Sequence, residues 1–354
     1  MKANNTSSLS IFKIASAYIG TVVGAGFASG QEVLQFFNAY GVPGILGIAI
    51  STFLFFFIGY SILMLGKNLK AKSHVDIVRY TNGEVLGTFI DIIITIFLFG
   101  GLAAMIAGAG AIFEEQFSIP PIWGTLVMAV VTLLTVLTGT KGVINAISFV
   151  VPFLIISVLF ISIKSLLQNP ITDNEIQTAS ALNGATPNWL LSAINYASYN
   201  LIIAIAVLTP IGAQTKNKNK LFWGALLGAA GLGIGMIAIY FCVLTNITDV
   251  YAMEVPMIEI ANKISIVIKT LFAIVLFAEV YTTAVGNLYG FVQRISFKVP
   301  KTYIIVGTTF LAFIVGQLGF SNMVKYLYPV VGYGGILFFV GVIYVWIAKR
   351  DSIR

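Results

Sequence analysis

The sequence predicts an all-α integral membrane protein of ten transmembrane helices, forming one domain over residues 1–354 and arranged as two inverted five-helix repeats. Three observations carry this reading. Of the 354 residues, 58% are hydrophobic and 9% charged, against about 25% charged in soluble domains. Ten apolar windows begin near residues 11, 43, 86, 122, 143, 188, 221, 264, 302 and 326, and each bilayer crossing takes about 20 such residues. The first and sixth windows are interrupted at matching depth, which predicts that helices one and six are discontinuous.

Charge sets the sides. With the N-terminus inside, the 20 Lys and Arg divide so that Lys164, Lys263, Lys269 and Lys325 lie outside and the other sixteen inside. The inner group includes the clusters Lys67, Lys70, Lys72 and Arg79, and Lys216, Lys218 and Lys220. That asymmetry places both termini on the cytoplasmic face. The net charge of +7 is therefore an orientation signal rather than a nucleic-acid surface, because the cations sit in short clusters between apolar runs. Trp123, Trp189, Trp223 and Trp346 each fall at the end of a window, where an amphipathic ring prefers to sit. Cys242 is the single cysteine and closes no intrachain disulfide. The first window, broken by glycines and lacking an A-x-A exit, reads as part of the fold rather than a cleavable signal.

The windows have a rhythm. Residues 11–167 hold the first five and 188–349 the second five. In each half the third is longest (86–113 and 264–293), with a long connection before it and a short one between the fourth and fifth. Five is odd, so the two halves are inverted, as in many secondary transporters.

Helix one reads GTVVGAGFASGQE, with Gly20, Gly24, Gly26 and Gly30 within eleven residues and Ser29, Gln31 and Glu32 close by. Each glycine lowers helix propensity by about 1 kcal/mol, so Gly24 to Gly30 is where unwinding is expected; close helix packing is the other use of such spacing. Helix six carries Asn195, Tyr196, Ser198, Tyr199 and Asn200 at mid-membrane depth, which lipid contact does not explain. The paired breaks predict a binding site for a small polar solute, held by Gly24, Ala25, Gly26 and Ser198, with Phe27, Ser29, Asn195, Tyr196, Tyr199 and Asn200 around it. GALLGAAGLGIG in helix seven, Gly224 to Gly235, has no polar company and reads as packing.

In helix eight, Glu279, Thr282 and Thr283 share one face, and two hydroxyls there suit a hard cation such as sodium. Intramembrane threonines also commonly bond their own helix. A carboxylate at that depth costs roughly 3 kcal/mol, so Glu279 reads as a proton carrier, a partner of a substrate amine, or a structural acid. Glu32 is a further candidate for proton binding or gating, nearer the outer end of its helix. Pro152, Pro210 and Pro329 predict kinks. His74 reads as a residue of a solvated loop with Asp76 and Arg79. The segment DVYAMEVPMIEIANK (Asp249 to Lys263) reads as a cap over an outer vestibule or an interfacial loop.

GTVVGAGFASGQE, followed by YGVPG (Tyr40 to Gly44), resembles the opening of the YkvI-type bacterial membrane proteins, and the resemblance extends over essentially the full chain. That group is similar in turn to the amino acid, polyamine and organocation (APC) transporter superfamily, whose LeuT-type fold has two inverted five-helix repeats. The resemblance implies a multi-pass protein of the bacterial cytoplasmic membrane. It also implies a sodium site between the carbonyls of Gly20 and Val23, the carbonyl of Glu279 and the hydroxyls of Thr282 and Thr283. A second sodium site of some members needs an Asn where this chain has Phe27. The helix-five basic residue of proton-coupled relatives has no counterpart, since Lys164 lies too near the end of its span.

The function expected is ion-coupled symport of an amino acid or related amine by alternating access, with sodium as coupling ion and no cofactor. The alternatives are proton coupling through Glu279 and a metabolite sensor with a transporter fold. The chain lacks H-E-x-x-H and G-x-S-x-G, so an intramembrane enzyme is not expected. Without an Asp in helix one or a thioether in helix six, transition-metal transport is not expected either. The partners implied are the lipid bilayer and a small-molecule substrate.

Overall fold

The computed structural model describes residues 9–71, 73–138, 151–295 and 299–348, and all its regular structure is helical. In chain order the helices are α1 (Ile11–Val22), α2 (Ala25–Ala28), α3 (Gln31–Phe36), α4 (Pro43–Leu69), α5 (His74–Phe117), α6 (Pro121–Leu137), α7 (Val151–Gln168) and α8 (Asp173–Ser180). There follow α9 (Trp189–Gln214), α10 (Lys218–Leu244), α11 (Ile247–Val250), α12 (Pro256–Ile264), α13 (Ile266–Arg294), α14 (Lys301–Gly316), α15 (Phe320–Asn322) and α16 (Tyr328–Ala348). Among the described residues, six stretches are long and apolar enough to cross a membrane: α4, α5, α9, α10, α13 and the run from α15 through α16. Shorter apolar helices, α1, α6, α7 and α14, occupy the remaining predicted windows. The start of the fifth window near 143, and Lys2, Lys72, Lys141, Lys298, Lys349, Arg350 and Arg354, lie outside the described residues.

Helix ends follow local chemistry. Ser10, Asn188, Asn217 and Ser265 cap α1, α9, α10 and α13 by accepting first-turn amides. Pro43 and Pro121 open α4 and α6, where a missing amide costs nothing. The glycines of helix seven serve packing: side chains added at Gly224, Gly228 and Gly231 of α10 would meet Ile14, Tyr18 and Ile19 of α1.

Two expectations fail. The third span begins at His74 rather than near 86, with only residues 70–73 between α4 and α5, so the long connection expected there is mostly helix. Ser73 and Asp76 form a reciprocal capping box that starts this 44-residue helix, and Gly83 at φ 75° interrupts it. His74 consequently leaves the solvent: Arg294 donates to its Nε2 at 2.7 Å and to Asp91 at 2.6 Å, tying α13 to α5.

The second correction concerns helix six, which is continuous from Trp189 to Gln214 and retains Pro210 inside it. It has no glycine before Gly212, so nothing in its middle lowers the cost of unwinding. Its Asn195, Ser198 and Asn200 side chains find acceptors without freeing the backbone. Asn195 Nδ2 donates to the Pro329 carbonyl at 2.9 Å and Ser198 Oγ to the Gly332 carbonyl at 2.5 Å, both on α16, while Asn200 Nδ2 donates to the Tyr196 carbonyl at 3.1 Å. The irregular backbone lies instead in the tenth span, where a π-helix over Met323–Leu327 precedes Pro329.

Candidate functional site

Helix one is broken where its glycines cluster. Val23 (ψ 107°) and Gly24 (φ −124°, ψ −173°) are extended between α1 and α2, so the helical hydrogen-bond ladder stops within the first span. Gly30, at φ 81°, makes a second turn into α3 that a side chain would strain. This second turn sends Glu32 back over the break. A Cβ on Gly26 would collide with the Glu32 carboxyl group, so only glycine leaves room for it. The hydroxyl of Tyr199 on α9 donates to Glu32 Oε2 at 2.5 Å, and both residues are buried.

Across the break stands α13. Glu279 is 3% exposed, and its Oε2 has no partner among the described residues. Thr282 Oγ1 donates to the Glu279 carbonyl at 3.0 Å, and Thr283 Oγ1 lies 3.5 Å from Glu279 Oε1. A Cβ on Gly24 would stand 4.0 Å from the Thr283 hydroxyl, which therefore faces the extended segment.

Between these groups lies a cavity of about 370 Å³. It brings together Gly20, Val23, Gly24, Ala25, Gly26, Glu32, Tyr199, Asn200, Glu279, Thr282 and Thr283. The reading of Glu32 as an outer-end residue gives way: it shares this chamber with Glu279. Phe97, Gly101 and Met105 of α5, Ile203 of α9, Asn287 of α13 and Tyr328 of α16 complete the walls without having been expected. Among the described residues, no Lys, Arg or His lines it.

Four expected residues face elsewhere, while Tyr196 packs on Tyr199 behind the cavity wall and beside Glu32. Phe27 packs toward Gly235 of α10. Ser29 Oγ donates to the Gly26 carbonyl at 2.9 Å. Tyr196 is buried among Phe36, Phe37 and Phe55, with ring centroids 5.4, 4.9 and 6.0 Å away. Asn195 and Ser198 hold α16, as described above.

Beside the cavity, helix one is tied to α12 and α15. The Met257 amide of α12 donates to the Ser29 carbonyl at 3.0 Å, and Gln31 Nε2 to Ser321 Oγ at 2.9 Å. Glu115 accepts the amides of Glu254 and Val255 at 2.7 and 3.1 Å, and Glu254 accepts that of Phe320 at 3.0 Å. Burial pushes the Glu254 carboxyl above its usual range. The segment 249–263 thus packs on the Gly30 turn of helix one through Pro256 and Met257. The cavity wall also includes Ala206 and Val207, both exposed, and Pro210 supplies no amide for the Ala206 carbonyl.

The chain matches no protein-family model. It is 31% identical over 331 residues to the uncharacterized membrane protein YkvI of Bacillus subtilis strain 168, covering 92% of this chain and 93% of that protein. The chain belongs to the YkvI family of membrane proteins. A second B. subtilis relative of this YkvI-family chain, the uncharacterized protein YyaD, is 27% identical over 320 residues, covering 89% of this chain and 90% of YyaD.

Solved structures reveal the fold family. The structure of MhsT in complex with L-phenylalanine aligns with a TM-score of 0.66 at 15% identity, covering 96% of the YkvI-family chain and 90% of MhsT. The inward-facing conformation of Mhp1 aligns at 0.65 and 13% identity, covering 98% and 79%. A Na+-coupled sialic acid symporter in a substrate-bound outward-open state aligns at 0.58 and 13% identity, covering 98% and 75%. The YkvI-family chain thus has the LeuT-type fold. Chemically, its chamber offers two carboxyl groups, hydroxyls and main-chain groups beside an interrupted helix, which suits a cation and a polar solute together.

Proposed function

We propose that the chain is a secondary active transporter that moves a small polar metabolite, an amino acid or related amine, by alternating access. One observation carries the reading: the two extended residues that interrupt the first span, Val23 and Gly24, border a buried chamber that also holds Glu32, Glu279, Thr282 and Thr283. An unpaired main-chain group in a membrane interior costs several kcal/mol and persists where it lines a cavity with a use for it. The ten spans act as two inverted repeats, 11–167 and 188–349, in a cytoplasmic membrane with both termini inside. The fold similarity to MhsT, Mhp1 and the sialic acid symporter supports this reading.

Sodium is the proposed coupling ion, bound by the carbonyls of Gly20, Val23 and Glu279 with the hydroxyls of Thr282 and Thr283. It would join α1 to α13 and so bias which end of the chamber is open. The unpartnered Oε2 of Glu279 favours a second reading, proton coupling, in which Glu279 carries the proton. Purified protein in liposomes with a labelled amino acid and amine mixture separates the two. Sodium coupling predicts accumulation that collapses when the sodium gradient is removed and survives a protonophore at fixed membrane potential. Proton coupling predicts the reverse, and uptake indifferent to both gradients removes the transporter mechanism. Ligand binding without accumulation would instead mark a sensor.

A further inference from the structure

We infer that the transported solute is an organic ammonium ion without a carboxylate, its charge held between Glu32 and an aromatic wall of Phe97, Tyr199 and Tyr328. The inference rests on the chamber being the solute site, and it narrows the class of solute. Two carboxyl groups, Glu32 at 5% exposure and Glu279 at 3%, enter one cavity whose lining has no basic residue among the described residues. Buried carboxylates without a counter-charge are costly, and a bound cation removes that cost. Glu279 lies beside two threonine hydroxyls, which is oxygen chemistry suited to an inorganic cation. Glu32 has different company. The rings of Tyr199 and Tyr328 are 5.1 Å apart, those of Phe97 and Tyr328 5.6 Å, and those of Phe97 and Tyr199 6.3 Å, and all three residues line the same cavity. Aromatic faces attract weakly hydrated organic cations.

The continuous sixth helix sharpens the argument. Apart from the Ala206 carbonyl, which Pro210 leaves without an amide, α9 offers the solute only the side chains of Tyr199 and Asn200 beside its apolar residues. A carboxylate on the solute would meet two acids and no base, and like charges brought together exclude a ligand as effectively as a steric clash. The cavity volume, about 370 Å³, lies near the lower end of the roughly 300–1,000 Å³ of small-molecule pockets, consistent with a small amine.

Thermal unfolding of the full purified chain tests this with matched sets: L-leucine, isopentylamine and 4-methylpentanoate; L-phenylalanine, phenethylamine and 3-phenylpropionate; and choline. At neutral pH, at least one ammonium compound should stabilise the protein at a half-saturating concentration at least tenfold below that of its parent amino acid, or, for choline, below both amino acids. Glu32→Gln should raise that concentration at least tenfold. Should this variant not fold, Tyr328→Leu, which leaves both carboxyl groups in place, must raise it at least threefold. Equal or better binding of an amino acid, stabilisation by a carboxylate, or no stabilisation by any ammonium compound overturns the inference. The two readings fail separately. An ammonium ion that binds without accumulating in liposomes contradicts transport alone, whereas an accumulated amino acid whose amine is ignored contradicts the solute class alone.

Discussion

Two spans meet at the chamber, and both carry residues unusual for a helix in lipid, yet one is broken and the other is not. In helix one the unusual residues are glycines, which bring no hydrogen-bonding side chain, and the backbone itself opens at Val23 and Gly24. In helix six they are Asn195, Ser198 and Asn200, whose side chains bond to main-chain carbonyls and leave their own helix intact. Polar residues at membrane depth therefore mark a contact that must be satisfied, while clustered glycine beside polar residues marks a place where the backbone yields. The chamber forms on the yielding span and takes its second wall from the intact one.

The largest effect that would break this comparison is at Gly26. A methyl group there runs into the Glu32 carboxyl, so Gly26→Ala should weaken solute binding at least hundredfold, about 2.8 kcal/mol. Gly24→Ala adds a Cβ that stands 4.0 Å from Thr283 Oγ1, in a backbone conformation alanine adopts readily, and should change binding less than threefold. Titration of the same ligand against both variants checks this. Equal effects would mean that the break matters only as flexible chain.

The threonines sharpen the ion side of the comparison. The Thr282 hydroxyl donates to its own helix at 3.0 Å, whereas that of Thr283 faces Gly24 and has only a 3.5 Å contact with Glu279. Thr283→Ala should raise the sodium concentration for half-maximal uptake by about tenfold, about 1.4 kcal/mol. Thr282→Ala should raise it by less, and unchanged sodium dependence in both removes them from the ion site. The smallest effects belong to the intact span. Asn195→Ala and Ser198→Ala should each lower unfolding stability by about 0.6–1.7 kcal/mol, the range for hydrogen bonds between membrane helices, with solute affinity unchanged. A loss of affinity without a loss of stability would return these residues to the binding site.

The positions of the spans were legible in the sequence because hydropathy acts window by window, and helix one's break was legible because glycine spacing is local. Helix six misled because its polar cluster looks the same whether the backbone opens or the side chains reach a neighbour; the lack of glycine before Gly212 was the available signal. Glu32 was misplaced for a geometric reason: the turn at Gly30 folds it back over Gly26, and distance along the chain does not register that reversal. Phe97 and Tyr328 come from the third and tenth spans, and only packing brings them to Tyr199. The first turns of α5 were also hidden, since the capping pair Ser73 and Asp76 stands in a polar stretch that hydropathy alone reads as connection.

Hydrogen exchange by mass spectrometry, with and without a stabilising ligand, tests the central claim directly by comparing the peptide over residues 20–36 with that over 189–214. A broken first helix beside an intact sixth predicts fast exchange around Gly24 to Phe27 that slows at least tenfold on binding, and slow exchange across Tyr196 to Leu201 in both states. Fast exchange across Tyr196 to Leu201 that slows only when ligand binds would contradict it.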